Sequence, residues 1–151
     1  MHYWLMKSEP DVFSIDDLKN RPKRTEPWNG VRNFQARNFM RAMDKGDLAF
    51  FYHSSCPEPG VAGIIEITRA AYPDFTAWDP TSPYYDPKSG PDKPLWYMVD
   101  VHYRRKLKRL VPLAQLRETP ALRQMRLLAR GNRLSIMPLS AREWNTILKL
   151  G

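Results

Sequence analysis

The sequence predicts one mixed α/β domain, a small curved β-sheet or barrel with short helices packed around it. The chain has 151 residues, the usual length of a single domain. Hydrophobic residues make up 42% of it and aromatic residues 12%, enough to build a packed core. Apolar runs of strand length alternate with short helical patterns, without a repeat or a linker. Residues 1–151 are therefore expected to form one domain.

The first half of the chain predicts strands and short helices in alternation. Residues 2–6 are a short β-rich run, and Ser14 followed by Asp17 is typical of a capping box that opens a short helix. Residues 21–27 contain two prolines and no periodicity, which predicts a loop closed by a turn at 28–30. The remaining elements predicted here are a helix over 33–43 and strands over 48–52 and 61–71.

A proline-rich excursion divides the second half. Residues 73–94 hold six prolines together with Trp78, Tyr84 and Tyr85, a composition that favours an ordered flap packed on the domain. Residues 95–103 alternate, which predicts a strand with one face in the core. The remaining predictions are basic helices over 112–117 and 120–129, a strand over 134–137, and a helix over 140–149 capped by Ser140 and Glu143.

Composition excludes several classes of site. A single cysteine, Cys56, excludes an internal disulfide and a multi-cysteine zinc site, and it indicates a reducing compartment. The first residues lack the apolar length of a signal peptide, and no stretch is long enough to span a bilayer. We therefore expect a cytoplasmic protein that does not interact with membranes.

The positive charge is concentrated in one part of the chain. Lys and Arg total 24 against 16 Asp and Glu, a net charge of +8. Between Val101 and Arg142, eleven basic residues accompany one acid, Glu118. Such a field suits a polyanion, because neutralising phosphates releases counterions. A surface selected only for solubility fits the same charge equally well.

Several segments together resemble the EVE domain family. They are YWLMKSEP at 3–10, WNGVRN at 28–33, ARN at 36–38, FFYHS at 50–54, YYDPKS at 84–89, WYMVDV at 96–101 and RLSI at 133–136. The resemblance follows the order of nearly the whole chain. It implies a PUA-like fold, a small β-barrel related to PUA and YTH modules. It also implies a module that recognises a modified base of DNA or RNA, flipped into a pocket.

In YTH modules the pocket contains a Lys-Ser pair after the first strand and a Trp, and Lys7-Ser8 and Trp28-Asn29 occupy similar places here. Trp78, Trp96 and Tyr52 are alternatives for a second aromatic wall. A flipped base needs aromatic plates for its faces and fixed polar groups for its edge. The candidates for the base pocket are Lys7, Ser8, Glu9, Trp28, Asn29, Gly30, Val31, Arg32, Asn33, Tyr52, His53, Ser54, Trp78 and Ser135.

Three of these candidates also have a structural interpretation, and one of them is Tyr52, which stands inside an apolar strand and can be a core residue. Trp28 can instead fill the core beneath its loop, and Arg32 can form an ion pair with Glu9 or Asp47 rather than bind phosphate. The candidates for phosphate contacts are Arg37, Arg104, Arg105, Lys106 and Arg133.

The expected function is a non-catalytic nucleic-acid-binding module, with no cofactor and no metal. The three histidines lack metal-ligand spacing, and the chain has neither a phosphate-binding glycine-rich loop nor a Gly-x-Ser-x-Gly motif. His53 near Cys56 leaves a hydrolase of modified nucleobases or nucleosides as an alternative. A protein-interaction module that uses residues 73–94 is a third. The expected partner is either DNA or RNA, and a monomer is compatible with the sequence.

Overall fold

A computed structural model describes all residues from 1 to 151, with one six-stranded sheet and four short helices. The strands are β1 (Tyr3–Ser8), β2 (Thr25–Pro27), β3 (Leu48–His53), β4 (Gly60–Pro73), β5 (Tyr97–Pro112) and β6 (Ile136–Leu139). The helices are α1 (Ile15–Lys19), α2 (Phe34–Arg41), α3 (Leu113–Arg117) and α4 (Ala141–Leu150). The predicted mixed α/β fold is confirmed, and none of the helices has the length and apolar composition that crossing a membrane requires.

The sheet is bent but open. Its strand order is β2-β5-β4-β3-β1-β6, with β1 and β3 parallel and the other pairs antiparallel. Several register shifts interrupt the long β4–β5 pairing, and such irregularities bend strands and increase their twist. The barrel is not closed, because the two edge strands, β2 and β6, do not pair with each other.

The sheet carries a hydrophobic core on each of its two faces. Side chains alternate along a strand, so Met6 and Phe51 belong to one core cluster while Leu5, Phe50 and Tyr52 belong to the other. Helices α1 and α2 bury apolar residues in the first cluster, and α3 and α4 bury theirs in the second. Both predicted capping boxes are present, at the starts of α1 and α4.

Three predicted elements differ from the structure. The predicted loop over 21–27 contains β2, which forms because the edge of β5 offers backbone partners at residues 100–102. The strand predicted over 95–103 continues to Pro112, with the basic side chains at 104–106 exposed on it. The helix predicted over 120–129 is instead two 3-10 turns, Pro120–Leu122 and Arg126–Leu128.

The parallel pair β1 and β3 is anchored at its start by Asp47, which is 3% exposed. Its carboxylate accepts hydrogen bonds from the Trp4 indole at 3.0 Å and from the backbone N–H groups of His2 at 3.1 Å and Asp44 at 2.9 Å. Burial raises the pKa of this carboxyl, but these three donors outweigh burial, and the net pKa is lowered. The other end of the pair brings Lys7 and Ser8 beside Tyr52 and His53.

Replacing Asp47 with Ala should lower the free energy of unfolding by roughly 1–3 kcal/mol, because the buried Trp4 indole N–H loses its acceptor. Urea denaturation measures the change. Asp44→Ala is the matched control, because the Asp44 side chain is exposed and only its backbone takes part. Equal midpoints for the two variants would contradict this account of Asp47.

Candidate functional site

A cavity of about 410 Å³ opens where β1 ends, beside the segment that follows β2. Its volume lies in the range of about 300–1,000 Å³ that is usual for small-ligand sites. We call it the Trp28 cavity. The predicted pocket residues that line it are Lys7, Ser8, Glu9, Trp28, Asn29, Gly30, Val31, Arg32 and Ser135. Its other lining residues are Val12, Phe13, Arg21, Glu26, Pro27 and Tyr84.

Trp28 is both a core residue and a wall of the cavity. It follows directly on β2, and its backbone N–H continues the pairing with β5 by donating to the carbonyl of Val99 at 2.7 Å. The indole is 8% exposed and meets the ring of Phe51 edge-on, with the ring centroids 5.4 Å apart. The two interpretations of Trp28 are therefore compatible, because the ring packs on the core and still borders the opening.

The turn after Trp28 requires a glycine. Gly30 has a φ of +81°, in the left-handed region that other residues rarely adopt. A Cβ at this position would lie 2.7 Å from the Tyr84 ring. Tyr84 thus packs directly on the turn and adds an aromatic side chain from the excursion to the cavity wall.

Asp74 connects this turn to the excursion. Its carboxylate is buried and accepts hydrogen bonds from the backbone N–H of Gly30 at 2.8 Å and from the Arg32 guanidinium at 3.1 Å. It also accepts from the backbone N–H of Thr76 at 2.9 Å. A buried carboxylate is stable only when such donors replace its water.

Arg32 completes the connection. It donates to the carbonyl of Tyr84 at 2.7 and 3.1 Å, and its guanidinium lies 5.8 Å from the Tyr84 ring and 5.4 Å from the Trp96 ring. Of the two interpretations of Arg32, the structure contains the ion pair, but its partner is Asp74 and neither Glu9 nor Asp47. With its guanidinium engaged in this way, Arg32 positions the wall of the cavity.

Lys7 and Ser8 bring polar groups to the cavity from the end of β1. The Ser8 hydroxyl donates to the carbonyl of Phe13 at 2.5 Å, which leaves its oxygen lone pairs as acceptors. The Lys7 backbone N–H donates to the carbonyl of Ser135 at 2.8 Å and so holds that residue at the same opening. Burial lowers the pKa of the Lys7 ammonium, which is in no ion pair.

Two carboxylates add acceptors to the lining. Glu26 forms an ion pair with Arg21 at 2.7 Å, and the Arg21 guanidinium lies 5.2 Å from the Phe13 ring. Glu9 is exposed and forms no ion pair. The cavity therefore combines aromatic surface with both donors and acceptors, the composition that a planar polar ligand requires.

The structure places five predicted pocket residues outside the Trp28 cavity. Asn33 caps α2 by accepting the Ala36 N–H at 2.9 Å, and the Ser54 backbone N–H donates to the carbonyl of Ser8 at 3.0 Å. Trp78 lies in a 3-10 turn of the excursion and does not line the cavity. Tyr52 belongs to the other core cluster, because neighbouring side chains on β3 point to opposite faces.

His53, the fifth, has a structural role at the start of α1. Its Nε2 accepts the backbone N–H of Ile15 at 3.2 Å, so the ring is neutral there. Burial is the largest cause of the lowered pKa of His53. Since Nε2 is engaged by Ile15, that atom is not free to take a proton from the Cys56 thiol.

The predicted phosphate contacts divide into engaged and free cations. Arg37 donates to the carbonyl of Leu95 at 2.8 Å, Arg104 pairs with Glu66 at 2.8 Å, and Lys106 pairs with Asp16 at 3.1 Å. Arg105 and Arg133 are exposed and belong to no ion pair.

The sequence interpretation missed six lining residues, among them Tyr84, Phe13 and Arg21. The aromatic content of residues 73–94 marked Tyr84 as ordered, but its contact with Gly30 spans more than fifty positions and leaves no local pattern. Phe13 and Arg21 flank α1, where nothing in their spacing indicates a cavity.

This chain is similar in sequence and in structure to several known proteins. The family model described as EVE domain matches residues 2–150. Thymocyte nuclear protein 1 of Homo sapiens is 48% identical over 165 residues, covering 98% of this chain and 73% of the relative. A Pseudomonas syringae protein of solved structure is 51% identical with a TM-score of 0.94, covering 98% of each chain.

A second similar structure contains DNA. It is human THYN1 protein in complex with 5-methylcytosine-containing DNA, 48% identical with a TM-score of 0.95, covering 99% of this chain and 97% of that one. The likeness spans the whole sheet and every element around the Trp28 cavity.

Arg32→Lys should destabilise the fold by roughly 1–3 kcal/mol, because an ammonium cannot bind the Asp74 carboxylate and the Tyr84 carbonyl with the same fork. Chemical denaturation measures the loss, and hydrogen exchange at residues 82–86 should become faster. Arg105→Lys, an exposed arginine without an ion pair, should leave both measurements unchanged. Equal behaviour of the two variants would mean that Arg32 does not hold the excursion.

His53 should make the fold less stable in acid. Its folded pKa lies below the usual 6.5, so the unfolded chain binds the proton more readily. The stabilisation is complete above pH 6.5 and is lost as the pH falls from there toward the folded pKa. Melting temperatures of the wild type and of His53→Gln between pH 7.5 and 5 should converge in acid. A constant difference would contradict the assignment.

Proposed function

The chain belongs to the EVE domain family, and from this membership we propose that it is a non-catalytic nucleic-acid-binding module that takes one modified DNA base, flipped out of the helix, into the Trp28 cavity. The observation that carries the proposal is the human relative, 48% identical, whose structure is a complex with 5-methylcytosine-containing DNA. That complex also favours DNA over RNA as the partner of this chain.

The faces of a flipped base are matched by aromatic side chains. Trp28, Phe13 and Tyr84 border one opening and come from three different segments of the chain. Stacking of a base on an aromatic ring contributes about 1–3 kcal/mol. That range is comparable to the few kcal/mol needed to unstack and unpair a base, so the polar groups must add selectivity.

The edge of a cytosine is matched by the polar lining. Its exocyclic amine donates, and it would meet the free carboxylate of Glu9 or the lone pairs of Ser8. Its ring nitrogen and carbonyl accept, and Lys7, Asn29 and Ser135 offer donors. A 5-methyl group adds apolar surface, for which Val12 and Val31 are at hand.

The backbone of the DNA is matched by charge. The net charge of +8 favours association with a polyanion and makes binding sensitive to salt. Arg105 and Arg133 are candidates for phosphate contacts, because neither is held in an ion pair. Phosphate contacts position the protein, whereas contacts in the cavity discriminate the base.

Trp28→Leu should abolish the preference for a methylated over an unmethylated duplex, because leucine keeps apolar packing but offers no stacking surface. Weak, salt-dependent binding to both duplexes should remain. Fluorescence anisotropy with matched duplexes at two salt concentrations measures both quantities.

The matched control is Trp78→Leu, which removes an indole outside the Trp28 cavity and should retain the preference. Circular dichroism checks that both variants are folded. If Trp28→Leu lost both kinds of binding equally while still folded, or if Trp78→Leu lost the preference as well, the assignment of the pocket would be wrong.

A further inference from the structure

A second cavity, of about 560 Å³, shares Lys7 with the first. We call it the Tyr52 cavity. The polar residues that line it are Lys7, Tyr52, Arg117, Arg130 and Asn132. The segment 129–135 serves both cavities, because Asn132 lines the second and Ser135 lines the first. The two cavities are therefore neighbours, with one lysine between them.

Every charged residue that lines the Tyr52 cavity is basic. Lys7, Arg117 and Arg130 line it, and no acidic residue does. None of the three cations takes part in any of the four ion pairs of the chain. A concave site lined by charge of one sign concentrates counter-ions.

The neutral polar groups of the Tyr52 cavity are also donors. Asn132 accepts the Leu134 N–H through its Oδ1 at 3.2 Å, which fixes the amide, while its buried Nδ2 has no hydrogen-bond partner. An amide N–H buried without an acceptor is unusual in a native fold. Tyr52 is 2% exposed, and burial raises its pKa to about 12, so its hydroxyl keeps its proton.

The rest of the lining is apolar. Leu113, Leu127 and Leu128 supply surface that a bare inorganic ion would not use. An organic phosphate fits both parts of this lining, with the anion at the donors and the sugar carbons against the leucines. In a nucleic acid strand, each base is joined to such a phosphate through its sugar.

We propose that the Tyr52 cavity is a phosphate subsite that holds the backbone phosphate adjacent to the base in the Trp28 cavity, with Lys7 between base and phosphate. This inference rests on the proposed function, since it assigns a second part of the same nucleotide. Arg117, Arg130 and Asn132 bind the phosphate oxygens, and the leucines contact the deoxyribose. The subsite contacts no base. It therefore strengthens binding without distinguishing methylated from unmethylated DNA.

The test is a thermodynamic cycle in which arginine charges of the protein and single phosphate charges of the DNA are removed separately and together. Duplexes that contain one 5-methylcytosine carry a neutral methylphosphonate at one position at a time around that base. The wild type is compared with the double variant Arg117→Gln/Arg130→Gln by fluorescence anisotropy. The matched control, Arg123→Gln/Arg142→Gln, removes the same charge from a separate cavity that does not include Lys7.

In the wild type, one methylphosphonate next to the methylated base should weaken binding about tenfold, as expected for a lost charged hydrogen bond. In Arg117→Gln/Arg130→Gln the same substitution should change affinity less than about twofold, because the phosphate has lost its partners. The control variant should keep the tenfold effect. Equal losses in all three proteins, or no sensitive position in the wild type, would overturn the subsite.

A separate measurement distinguishes the failure of the two proposals. Wild-type affinity for methylated and unmethylated duplexes tests the base pocket alone, and Arg117→Gln/Arg130→Gln should leave that ratio unchanged. If the wild type showed no preference for the methylated duplex but kept the methylphosphonate effect that depends on Arg117 and Arg130, the base pocket would be rejected and the subsite retained. Loss of the ratio in the double variant would reject the division of roles between the cavities.

Nuclear magnetic resonance of the Asn132 side-chain amide distinguishes a strand phosphate from a free one. Titration with the methylated duplex should shift this signal, and the sensitive methylphosphonate duplex should not. Inorganic phosphate and deoxycytidine monophosphate are the competing probes. A shift with either of these at millimolar concentration, but none with DNA, would assign the site to a free phosphate and overturn the proposal.

Discussion

The ion pair between Arg32 and Asp74 is the constraint on which the candidate site depends. Asp74 is buried at the beginning of the proline-rich excursion, and its donors include the turn after Trp28, Arg32 and Thr76. Loss of one partner would leave a buried charge uncompensated, a large penalty for any fold. The pair therefore joins an irregular segment to the turn after Trp28, and Tyr84 becomes part of the cavity wall.

The parallel pair of β1 and β3 supplies the second constraint. Asp47 secures its first end by accepting hydrogen bonds from His2, Trp4 and Asp44. The register then carries Lys7 and Ser8 to the far end, where both cavities open. Lys7 is half-buried there without a carboxylate partner, an arrangement that suits an anionic ligand and gives little to the stability of the free protein.

Local patterns predicted the local parts of this structure. The capping boxes of Ser14 with Asp17 and Ser140 with Glu143 involve residues three positions apart, and both form as predicted. Strands β3 and β4 follow from apolar runs. Strand β2 was missed because its three residues pair with β5 far along the chain, and no pattern inside residues 21–27 records that partner.

In the candidate site, too, the sequence identified individual residues but not the contacts between distant positions. The resemblance to a family brought Lys7, Ser8 and Trp28 together, and the structure places all three at one opening. The partner of Arg32 lies 42 positions away and could not be chosen among the acids of the chain. Tyr52 stands in a run of apolar residues without polar alternation, so the sequence could not tell which face of the sheet it joins.

A crystal structure of this protein bound to a DNA duplex with a single 5-methylcytosine tests the central claim most directly. The account predicts that the methylated base lies outside the helix and inside the Trp28 cavity, in contact with Trp28, while Arg32 and Asp74 keep their hydrogen bonds. A methylcytosine that remains stacked and paired within the duplex, with the cavity empty, would contradict it.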